Sequence, residues 1–557
     1  MQDRLKNTGA FCCSCGATIE TEAIVDFMRR HPDAAEVGEH PCLCAAEGLQ
    51  YLAKQIRETG LDRVMIASCL SGHRESLWRA VLKDEGLDPD LLTVAPVREW
   101  DDGSARLDAV AMALGHLQQR EPRTPSPVAV TQRALVVGAG TGGMRTALNL
   151  AQMNVDVLLV DEKGLGSRTW FERDACRSDL VSRLVARISD SERIETAAPA
   201  RIRDIHGQIG DFTVTSEVAG EVRKDRVGAI ILATGYQAIF PREQLGMAPG
   251  GAVLGLSRFW DFLSKAEGVT VAGTSRAFDI VFLLREEDEA GKLPFVAALQ
   301  QAIAAKKELK SEVHLLFGNA KVAGGGLEQL YQEARRMGVV MVKYDAFPRI
   351  AETAVPVTYQ ADESERRPLE LSFTGEQMGA DRGPVDMTLA ADILVSGEDL
   401  LPSDPTRHTA DLLGLEKTLT GFVSADNVFM TPVLTSRRGI FAVGGCRGPM
   451  TLSEISQQAD EAALAAFGIL SSAVLEIVDR VAVVEPDKCA LCLTCIRSCP
   501  GGAIVVDHER NAAGVAPEAC QGCGICASEC PADAIQLEHF TDREILSVLD
   551  VLREVGQ

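Results

Sequence analysis

The sequence predicts an α/β protein of three domains, and three observations lead to this prediction. Strand-like and helical segments alternate through residues 1–120 and again from 133 to about 472. A glycine-rich turn follows the first strand of the second region, and two copies of one cysteine motif lie near the end of the chain. We therefore expect domains at 1–125, 126–475 and 476–557.

The composition limits the classes of partner. Hydrophobic residues make up 46% of the 557 positions and charged residues 24%, as in globular proteins with several cores. The net charge of −23 argues against nucleic-acid binding, which needs a surplus of Lys and Arg. The longest apolar stretch, 462–475, is shorter than the roughly 18 to 20 residues of a membrane span, so we expect a buried helix there.

The chain has sixteen cysteines, and most of them lie in tight local groups. Its polar start, MQDRLKNTGAF, has no apolar segment of a secretion signal. Thiolates that bind metal in a reducing, cytoplasmic compartment therefore explain the cysteines better than disulfides do.

The first domain is predicted from the strand-like DRVMIASC, which lies between two helical stretches, AAEGLQYLAKQIRET and RESLWRAVLKDEG. After it, Pro122, Pro125 and Pro127 interrupt a charged segment, which cannot form a helix and should be an exposed linker. In the second domain, ADESERRPLE is a candidate polar hairpin. At the end of the chain, TDREILSVLDVLREV is predicted to be an amphipathic helix with Thr541 as its N-cap.

A dinucleotide site is predicted where the second region begins. Gly138, Gly140 and Gly143 have the G-x-G-x-x-G spacing between a strand and a helix, and Asp161 ends the next strand. These glycines allow a tight turn, close approach of a pyrophosphate and close packing of helix on strand, while the acid is placed to bind a ribose. A glycine-rich turn without a ligand is the alternative. The candidate residues are Gly138, Gly140, Gly142, Gly143, Asp161 and Glu162.

Two later segments indicate that the dinucleotide is FAD. VGAIILATGY and RRGIFAVGGCRGPMTLSEISQQADEAALAA resemble FAD-contacting segments of flavoproteins with two dinucleotide-binding domains, the thioredoxin reductase type. The resemblance adds Thr234, Gly235, Gly444 and Gly445 to the cofactor-binding set. An acid often follows the last strand in such proteins, whereas Cys446 stands here, so contacts should come from backbone amides and a helix that starts near Thr451.

No C-x-x-C follows the glycine turn, which argues against the dithiol mechanism of thioredoxin reductases. Cys176 and Cys446 would have to act as single thiols. The sequence therefore assigns no catalytic residue.

The two C-terminal motifs, CALCLTCIRSCP and CQGCGICASECP, are both C-x2-C-x2-C-x3-C-P. In this ferredoxin pattern the fourth cysteine of each run binds the other [4Fe-4S] cluster. One predicted ligand set is thus Cys489, Cys492, Cys495 and Cys530, and the other is Cys520, Cys523, Cys526 and Cys499. Zinc is the alternative metal, since four-cysteine zinc sites also use C-x-x-C pairs.

Taken together, these motifs resemble the A component of heterodisulfide reductases and its bacterial relatives. The resemblance runs nearly end to end, over CSCG, CAAEG, RVMIASCLSGHRE, IILATGY, GIFAVGGCRGPMTLSEISQQA, both cysteine runs and FTDREIL. It implies a third [4Fe-4S] cluster in the first domain, with Cys13, Cys15, Cys44 and Cys69 as ligands. Zinc at the same four cysteines is again the alternative. Cys12 and Cys42 are left over, as spare buried thiols or substitute ligands.

The resemblance implies an electron-transfer subunit, active within a complex in anaerobic metabolism, with flavin-based electron bifurcation as a family property. Implied partners are subunits like heterodisulfide reductase B and C, a hydrogenase-delta-like or other electron donor, and ferredoxin, with a possible homodimer inside the complex. Members of the family often have a further two-cluster insert after a cysteine placed like Cys176, and a cysteine group in mid-domain, both of which this sequence lacks. A self-sufficient NAD(P)H-dependent flavin reductase and a non-catalytic relay scaffold are the alternatives.

Overall fold

The computed structural model describes residues 7–15, 19–69, 74–100, 102–122, 126–166, 175–249, 252–265, 278–285, 292–353, 357–358, 365–366, 368–377, 385–426, 431–477 and 481–555. The chain divides into two compact units. One comprises Met1–Pro127 and Glu476–Gln557, and the other is Val128–Leu475. The boundaries of the three predicted domains remain a prediction.

The N-terminal part of the first unit is a parallel sheet with helices between its strands. Its elements are β1 (Thr8–Cys13), α1 (Glu22–Arg30), β2 (Glu36–His40), α2 (Ala46–Thr59), β3 (Arg63–Ser68), α3 (Glu75–Asp84), β4 (Leu92–Pro96) and α4 (Gly103–Gln119). The strand order is β2-β1-β3-β4, and all pairs are parallel. The predicted strand and both predicted helices are present.

Alternation along β1 places its side chains on two faces of this sheet. Ala10 and Cys12 pack in one apolar core, and Phe11 and Cys13 pack in the other. Neighbouring cysteines therefore point in opposite directions.

Part of the predicted linker forms a strand. Residues Ser126–Ala129 form a short strand, β5, which includes Pro127. Proline is compatible with extended backbone at a strand edge, so a segment that cannot be helical is still able to pair as a strand.

The second unit contains two sheets built on parallel strands and a three-stranded antiparallel sheet. Its elements up to residue 265 are β6 (Arg133–Val137), α5 (Thr141–Gln152), β7 (Asp156–Val160), α6 (Ala175–Ser189), β8 (Ile194–Ala197), β9 (Ala200–Gln208), β10 (Asp211–Val218), β11 (Glu221–Val227), β12 (Ala229–Leu232), β13 (Tyr236–Ile239), α7 (Arg242–Leu245), β14 (Val253–Gly255) and α8 (Leu256–Lys265). Strands β9, β10 and β11 form the antiparallel sheet.

The remaining elements of the second unit complete both parallel-strand sheets. They are β15 (Asp279–Leu283), α9 (Leu293–Ala304), β16 (Glu312–Phe317), α10 (Leu327–Arg336), β17 (Val340–Tyr344), β18 (Arg349–Glu352), β19 (Val357–Thr358), β20 (Glu365–Arg366), β21 (Leu369–Gln377), β22 (Val385–Ala391), β23 (Ile393–Ser396), β24 (Asp399–Pro402), α11 (Asp404–Leu412), β25 (Ile440–Ala442) and α12 (Leu452–Leu470). Another strand, β26, spans Val474–Ile477.

The first of these sheets has the order β25-β12-β6-β7-β8, all parallel. The second has the order β14-β23-β15-β16-β17-β21-β18, parallel from β14 to β17, and β22 pairs with β21. Half of the predicted hairpin ADESERRPLE lies outside the described residues, and its Glu365–Arg366 pairs with β19. The predicted buried helix at 462–475 belongs to α12, which ends at Leu470 rather than continuing to 475.

The C-terminal part of the first unit contains two copies of a short helix followed by a strand. Its elements are β27 (Ala482–Val484), α13 (Thr494–Ser498), β28 (Ile504–Asp507), β29 (Ala512–Val515), α14 (Ile525–Ser528), β30 (Ile535–Leu537) and α15 (Asp542–Val555). Strand β27 pairs with β30, and β28 pairs with β29. The predicted N-cap of α15 is present, because Thr541 Oγ1 accepts the Glu544 N–H at 3.3 Å. Among the helices that are described, none is both long and apolar enough to cross a membrane.

Candidate flavin site and cysteine sites

The turn between β6 and α5 requires glycine at two of its positions. Gly138 has φ of +108°, and a Cβ there would lie 2.5 Å from the Ala233 carbonyl oxygen. A Cβ on Gly143 would lie 1.8 Å from the carbonyl oxygen of Gly138, so this glycine allows α5 to begin against β6. By contrast, a Cβ on Gly140 would meet no atom within 4 Å. The space in front of Gly140 at the start of α5 is therefore open to a ligand, as a pyrophosphate requires.

Asp161 holds this turn. Its Oδ2 accepts the backbone N–H of Ala139 at 2.7 Å, and its Oδ1 accepts those of Lys163 at 2.7 Å and Gly164 at 2.9 Å. The sequence predicts a ribose-binding acid, whereas the structure shows a carboxylate that already joins two loops. Glu162, the next residue, faces the same cavity and lies 3.5 Å from Arg201 in an ion pair.

The second segment of the site is fixed by helix α11. Thr406 Oγ1 lies 2.8 Å from Thr234 Oγ1 and donates to the Gly235 carbonyl oxygen at 2.6 Å. The Ser403 N–H also donates to that oxygen at 3.2 Å. Sequence reasoning missed α11, although Ser403 followed by Asp404 and a proline is a helix-start pattern that indicates it.

The third segment follows β25 and leads into α12. Gly444 has φ of +66°, and its N–H donates to Gln458 Oε1 at 2.8 Å. As expected, a helix starts after Thr451, whose N–H and hydroxyl both donate to Glu454 Oε2 at 2.8 Å. Lys292 Nζ lies 2.7 Å from the other oxygen of Glu454.

Cys446 lies behind this segment as a buried thiol. It is fully buried, and its Sγ donates to the carbonyl oxygens of Leu232 at 3.2 Å and Val443 at 3.3 Å. Burial raises the pKa of Cys446 to about 12. The side chain of Cys176, the other candidate single thiol, lies outside the described residues.

The three segments enclose one cavity of about 560 Å³ within the second unit. Nine of the ten predicted cofactor-binding residues line it, namely Gly138, Gly140, Gly142, Asp161, Glu162, Thr234, Gly235, Gly444 and Gly445. Gly143 does not, because it packs α5 against β6. The cavity is also lined by the N-cap of α11, Ser403, and by Pro405, His408 and Thr409 of that helix, none of which the sequence indicated. Open space at Gly140 beside the N-terminus of a 12-residue helix fits a dinucleotide.

The C-terminal cysteines surround two further cavities. One is lined by Cys489, Cys492, Cys495 and Cys530, and the other by Cys499, Cys520, Cys523 and Cys526. These are the two sets that the crossed ferredoxin pattern predicts.

Backbone amides point at the cysteine sulfurs in the same way at both cavities. In the first, Ala513 donates to Cys489 at 3.5 Å and Ala534 to Cys530 at 3.3 Å. In the second, the N–H groups of two more alanines donate to Cys520 at 3.4 Å and to Cys499 at 3.2 Å. Such donors stabilise the negative charge of thiolate ligands.

Within the described ranges, no three His, Cys, Asp or Glu side chains converge closely enough to hold a single metal ion. The four thiols of each set therefore surround a space rather than one point. This arrangement fits an iron-sulfur cluster better than zinc, which needs four ligands about 2.3 Å from one ion.

The N-terminal cysteines also come together. We call Cys13, Cys15, Cys42, Cys44 and Cys69 the N-terminal thiol group. Cys69 shares a hydrogen bond with Cys15, and Cys42 Sγ lies 3.6 Å from Cys44 Sγ. Arg74 donates to Cys44 Sγ at 2.9 Å. The group thus contains the four predicted ligands and one additional thiol, Cys42.

Cys12 points away from Cys13, into an apolar core against which Cys15 and Cys69 of the N-terminal thiol group also pack. It is fully buried in the core on the other face of the sheet, and burial raises its pKa to about 12. The expectation that Cys12 is a spare thiol agrees with this placement.

Two protein families match parts of the chain. The pyridine nucleotide-disulphide oxidoreductase family matches residues 132–263, which contain the glycine turn, and the 4Fe-4S dicluster domain family matches residues 482–531. The cavity and the paired cysteine sets together define an iron-sulfur flavoprotein oxidoreductase.

Several relatives align over nearly the whole chain. The A subunit of H(2):CoB-CoM heterodisulfide,ferredoxin reductase from Methanothermobacter thermautotrophicus is 24% identical, covering 90% of each chain. One of the iron-sulfur A subunits of CoB--CoM heterodisulfide reductase from Methanopyrus kandleri is 25% identical, covering 89% of this chain and 90% of its own. The chain is an oxidoreductase that is similar to heterodisulfide reductase A subunits over nearly its whole length.

The alignment with the first relative extends over 615 positions, more than the 557 residues of this chain, so that relative has segments without a counterpart here. Among solved structures, thioredoxin reductase from T. acidophilum is 15% identical, covering 61% of this chain and 100% of its own, with a TM-score of 0.40. That from Lactococcus lactis is 16% identical, covering 61% and 99%, also with a TM-score of 0.40.

Proposed function

We propose that this chain is the electron-transfer subunit of a multi-subunit oxidoreductase that resembles heterodisulfide reductase. The observation that carries the proposal is the presence, in one chain, of a dinucleotide-type cavity and two cavities that are each lined by four cysteines. FAD would take up electrons in pairs and release them singly, which [4Fe-4S] clusters accept.

The proposed roles of the chain's own residues follow from the geometry. Gly140 and the N-terminus of α5 would bind the pyrophosphate, and Asp161 would keep the turn in place. The rest of FAD would contact four residues that form the cavity wall, Thr234, Gly235, Gly444 and Gly445. The two C-terminal sets would each hold one [4Fe-4S] cluster, and Cys13, Cys15, Cys44 and Cys69 would hold a third.

The proposed partners are subunits like heterodisulfide reductase B and C, a hydrogenase-delta-like or other donor subunit, and ferredoxin. The names of the relatives refer to heterodisulfide and ferredoxin, which supports a heterodisulfide reductase complex that acts with ferredoxin. Anaerobic affinity purification of the tagged chain from its own cells, followed by mass spectrometry, tests it. Recovery of the chain alone, or only with a substrate-specific reductase, would contradict the proposed complex.

The purified complex also tests bifurcation against simple relay. We expect a bifurcating complex to reduce a low-potential ferredoxin only while a second, higher-potential acceptor is being reduced. Equal rates of ferredoxin reduction with and without the second acceptor would establish a simple relay.

A self-sufficient NAD(P)H-dependent reductase is disfavoured by the sequence that joins β15 to α9. This connection in the second sheet has no G-x-G-x-x-G, which a nicotinamide site at that turn would need. We therefore expect NADH or NADPH alone to leave the flavin of the purified chain oxidised. Rapid bleaching of the flavin by either nucleotide would favour the self-sufficient enzyme instead.

A further inference from the structure

The connection between β2 and α2 is held in place on both sides of Cys42. The Cys42 N–H donates to His40 Nδ1 at 3.1 Å, and its carbonyl oxygen accepts the Ala45 N–H at 3.2 Å. The His40 ring stacks on Tyr51 with ring centroids 5.3 Å apart. The backbone of Cys42 is therefore fixed by the protein itself, without help from a ligand.

The next residue anchors the same segment from the other side. The Leu43 N–H donates to Cys13 Sγ at 3.4 Å, and its carbonyl oxygen accepts Trp78 Nε1–H at 3.0 Å. Leu43 itself is fully buried. Cys42 and Cys44, which flank Leu43, are thus both presented next to Cys13.

The sulfur of Cys42 lies close enough to a predicted ligand to belong to the same metal site. It lies 3.6 Å from the sulfur of Cys44. A sulfur 3.6 Å from a ligand sulfur is within the range at which two thiolates contact one iron, since Fe–S and Zn–S bonds are both about 2.3 Å long.

We propose that Cys42 is a fifth sulfur donor of the N-terminal iron-sulfur site and can replace Cys44 there. The inference depends on the third cluster of the proposed function. In the exchange, the bond from iron to Cys44 would be replaced by one to Cys42. Cys44 would take up the proton that Cys42 gives up, and no electron would be transferred.

Arg74 makes the two ligation states different. Within the described part of the chain its guanidinium donates to Cys44 and not to Cys42, and a cationic donor to a thiolate ligand raises a cluster's reduction potential. The state ligated by Cys42 should therefore have the lower potential.

The test uses the full chain, reconstituted anaerobically with iron and sulfide, and compares alanine variants. Wild type, Cys42→Ala and Cys44→Ala are expected to hold about twelve iron atoms per chain. Cys15→Ala and the double variant Cys42→Ala/Cys44→Ala should hold about eight, because the C-terminal clusters remain. In Cys44→Ala the potential of the N-terminal cluster should fall, while Cys42→Ala keeps the wild-type potential.

The matched control is Cys12→Ala, which removes a buried thiol from the opposite face and should retain about twelve iron atoms. If Cys44→Ala holds only about eight, as Cys15→Ala does, Cys42 is not a donor and the inference is overturned. If wild type itself holds about eight, the third cluster of the proposed function is absent. The two failures are thus distinguished by the wild-type value. The C-terminal irons report that the ferredoxin-like part of each variant is folded, and a circular dichroism spectrum equal to that of wild type, recorded before reconstitution, reports that the N-terminal sheet is folded.

Discussion

Asp161 Oδ2 and the backbone N–H of Ala139 are 2.7 Å apart, so the acid that follows β7 ties down the glycine turn that follows β6. The carboxylate accepts two more backbone N–H groups on its other oxygen. An acid at this position therefore organises the phosphate-binding turn whether or not it also contacts the ribose.

Replacing Asp161 by alanine should weaken FAD binding, because three backbone N–H groups lose their acceptor. A hydrogen bond to a charged group contributes about 1.5 to 3 kcal/mol, so a loss of about 10- to 100-fold in affinity is expected in a flavin fluorescence titration. Asp156→Ala, at the exposed start of the same strand, is the control. Equal affinities for the two variants would mean that Asp161 does not support the site.

Alanine substitutions at Gly143 and Gly140 should have different effects, the first on stability and the second on flavin affinity. Gly143→Ala places a Cβ 1.8 Å from the Gly138 carbonyl oxygen, so we expect the second unit to lose about 3 kcal/mol of stability even without flavin. Gly140→Ala has open space for its Cβ and an extended backbone, so it should fold normally and lose flavin affinity only. Thermal unfolding of the flavin-free proteins, followed by flavin titration, measures both. Normal stability in Gly143→Ala would refute the packing argument.

Cys446 should be inert. With a pKa of about 12 and two carbonyl acceptors for its proton, the thiol stays neutral at about pH 8. Peptide mapping after iodoacetamide treatment of the folded protein should find Cys446 unmodified, and Cys446→Ala should keep the rate of flavin reduction. Alkylation under these conditions would show that the thiol is accessible and that a single-thiol role is possible.

The C-terminal helix should depend on pH through Glu544. Burial acts to raise the pKa of Glu544, but the His539 ring, whose Nδ1 lies 3.8 Å from Glu544 Oε1, and hydrogen bonds from the Thr541 N–H and hydroxyl outweigh burial and lower the pKa to about 2. Because the folded pKa is depressed from 4.5, the stabilisation is complete above pH 4.5 and is lost as the pH falls towards 2.

Glu544→Gln should therefore lower the free energy of opening α15 by about 3 kcal/mol at about pH 7 and by little near pH 2. Amide hydrogen exchange of α15 in the two proteins measures this difference. A difference that does not change with pH would mean that the charge of Glu544 is not responsible.

Paired substitutions test the crossed ligation of the C-terminal clusters. Cys489 and Cys530 line one cavity although they belong to different motifs. Cys489→Ala/Cys530→Ala should therefore lose only one cluster, about four irons, whereas Cys489→Ala/Cys499→Ala should lose two, about eight. Uncrossed ligation predicts the opposite ranking of the two double variants.

The sequence was most informative where ligand binding requires a fixed spacing of residues along the chain. The glycine turn and the doubled cysteine runs fix short-range geometry, so spacing along the chain was enough to locate Gly138 and both crossed cysteine sets. Alternation in β1 could likewise have separated Cys12 from Cys13, since successive residues of a strand face opposite sides.

The parts that sequence reasoning missed depend on contacts between distant segments. Thr406 donates a hydrogen bond to the Gly235 carbonyl oxygen, although the two residues are 171 positions apart in the chain. The Ser403 N–H donates to the same oxygen. No local sequence pattern indicates these contacts. The proximity of Cys42 to Cys44 was visible in the sequence, but its orientation towards Cys13 depends on the His40 and Trp78 contacts.

Anaerobic coulometric titration of the full chain, with its FAD and iron content measured, tests the central claim most directly. One FAD takes up two electrons and each [4Fe-4S] cluster one, so about five electrons per chain are expected at low potential, with signals of both reduced flavin and reduced clusters. Uptake of about two electrons, with the clusters absent or silent throughout the titration, would contradict an electron-transfer role.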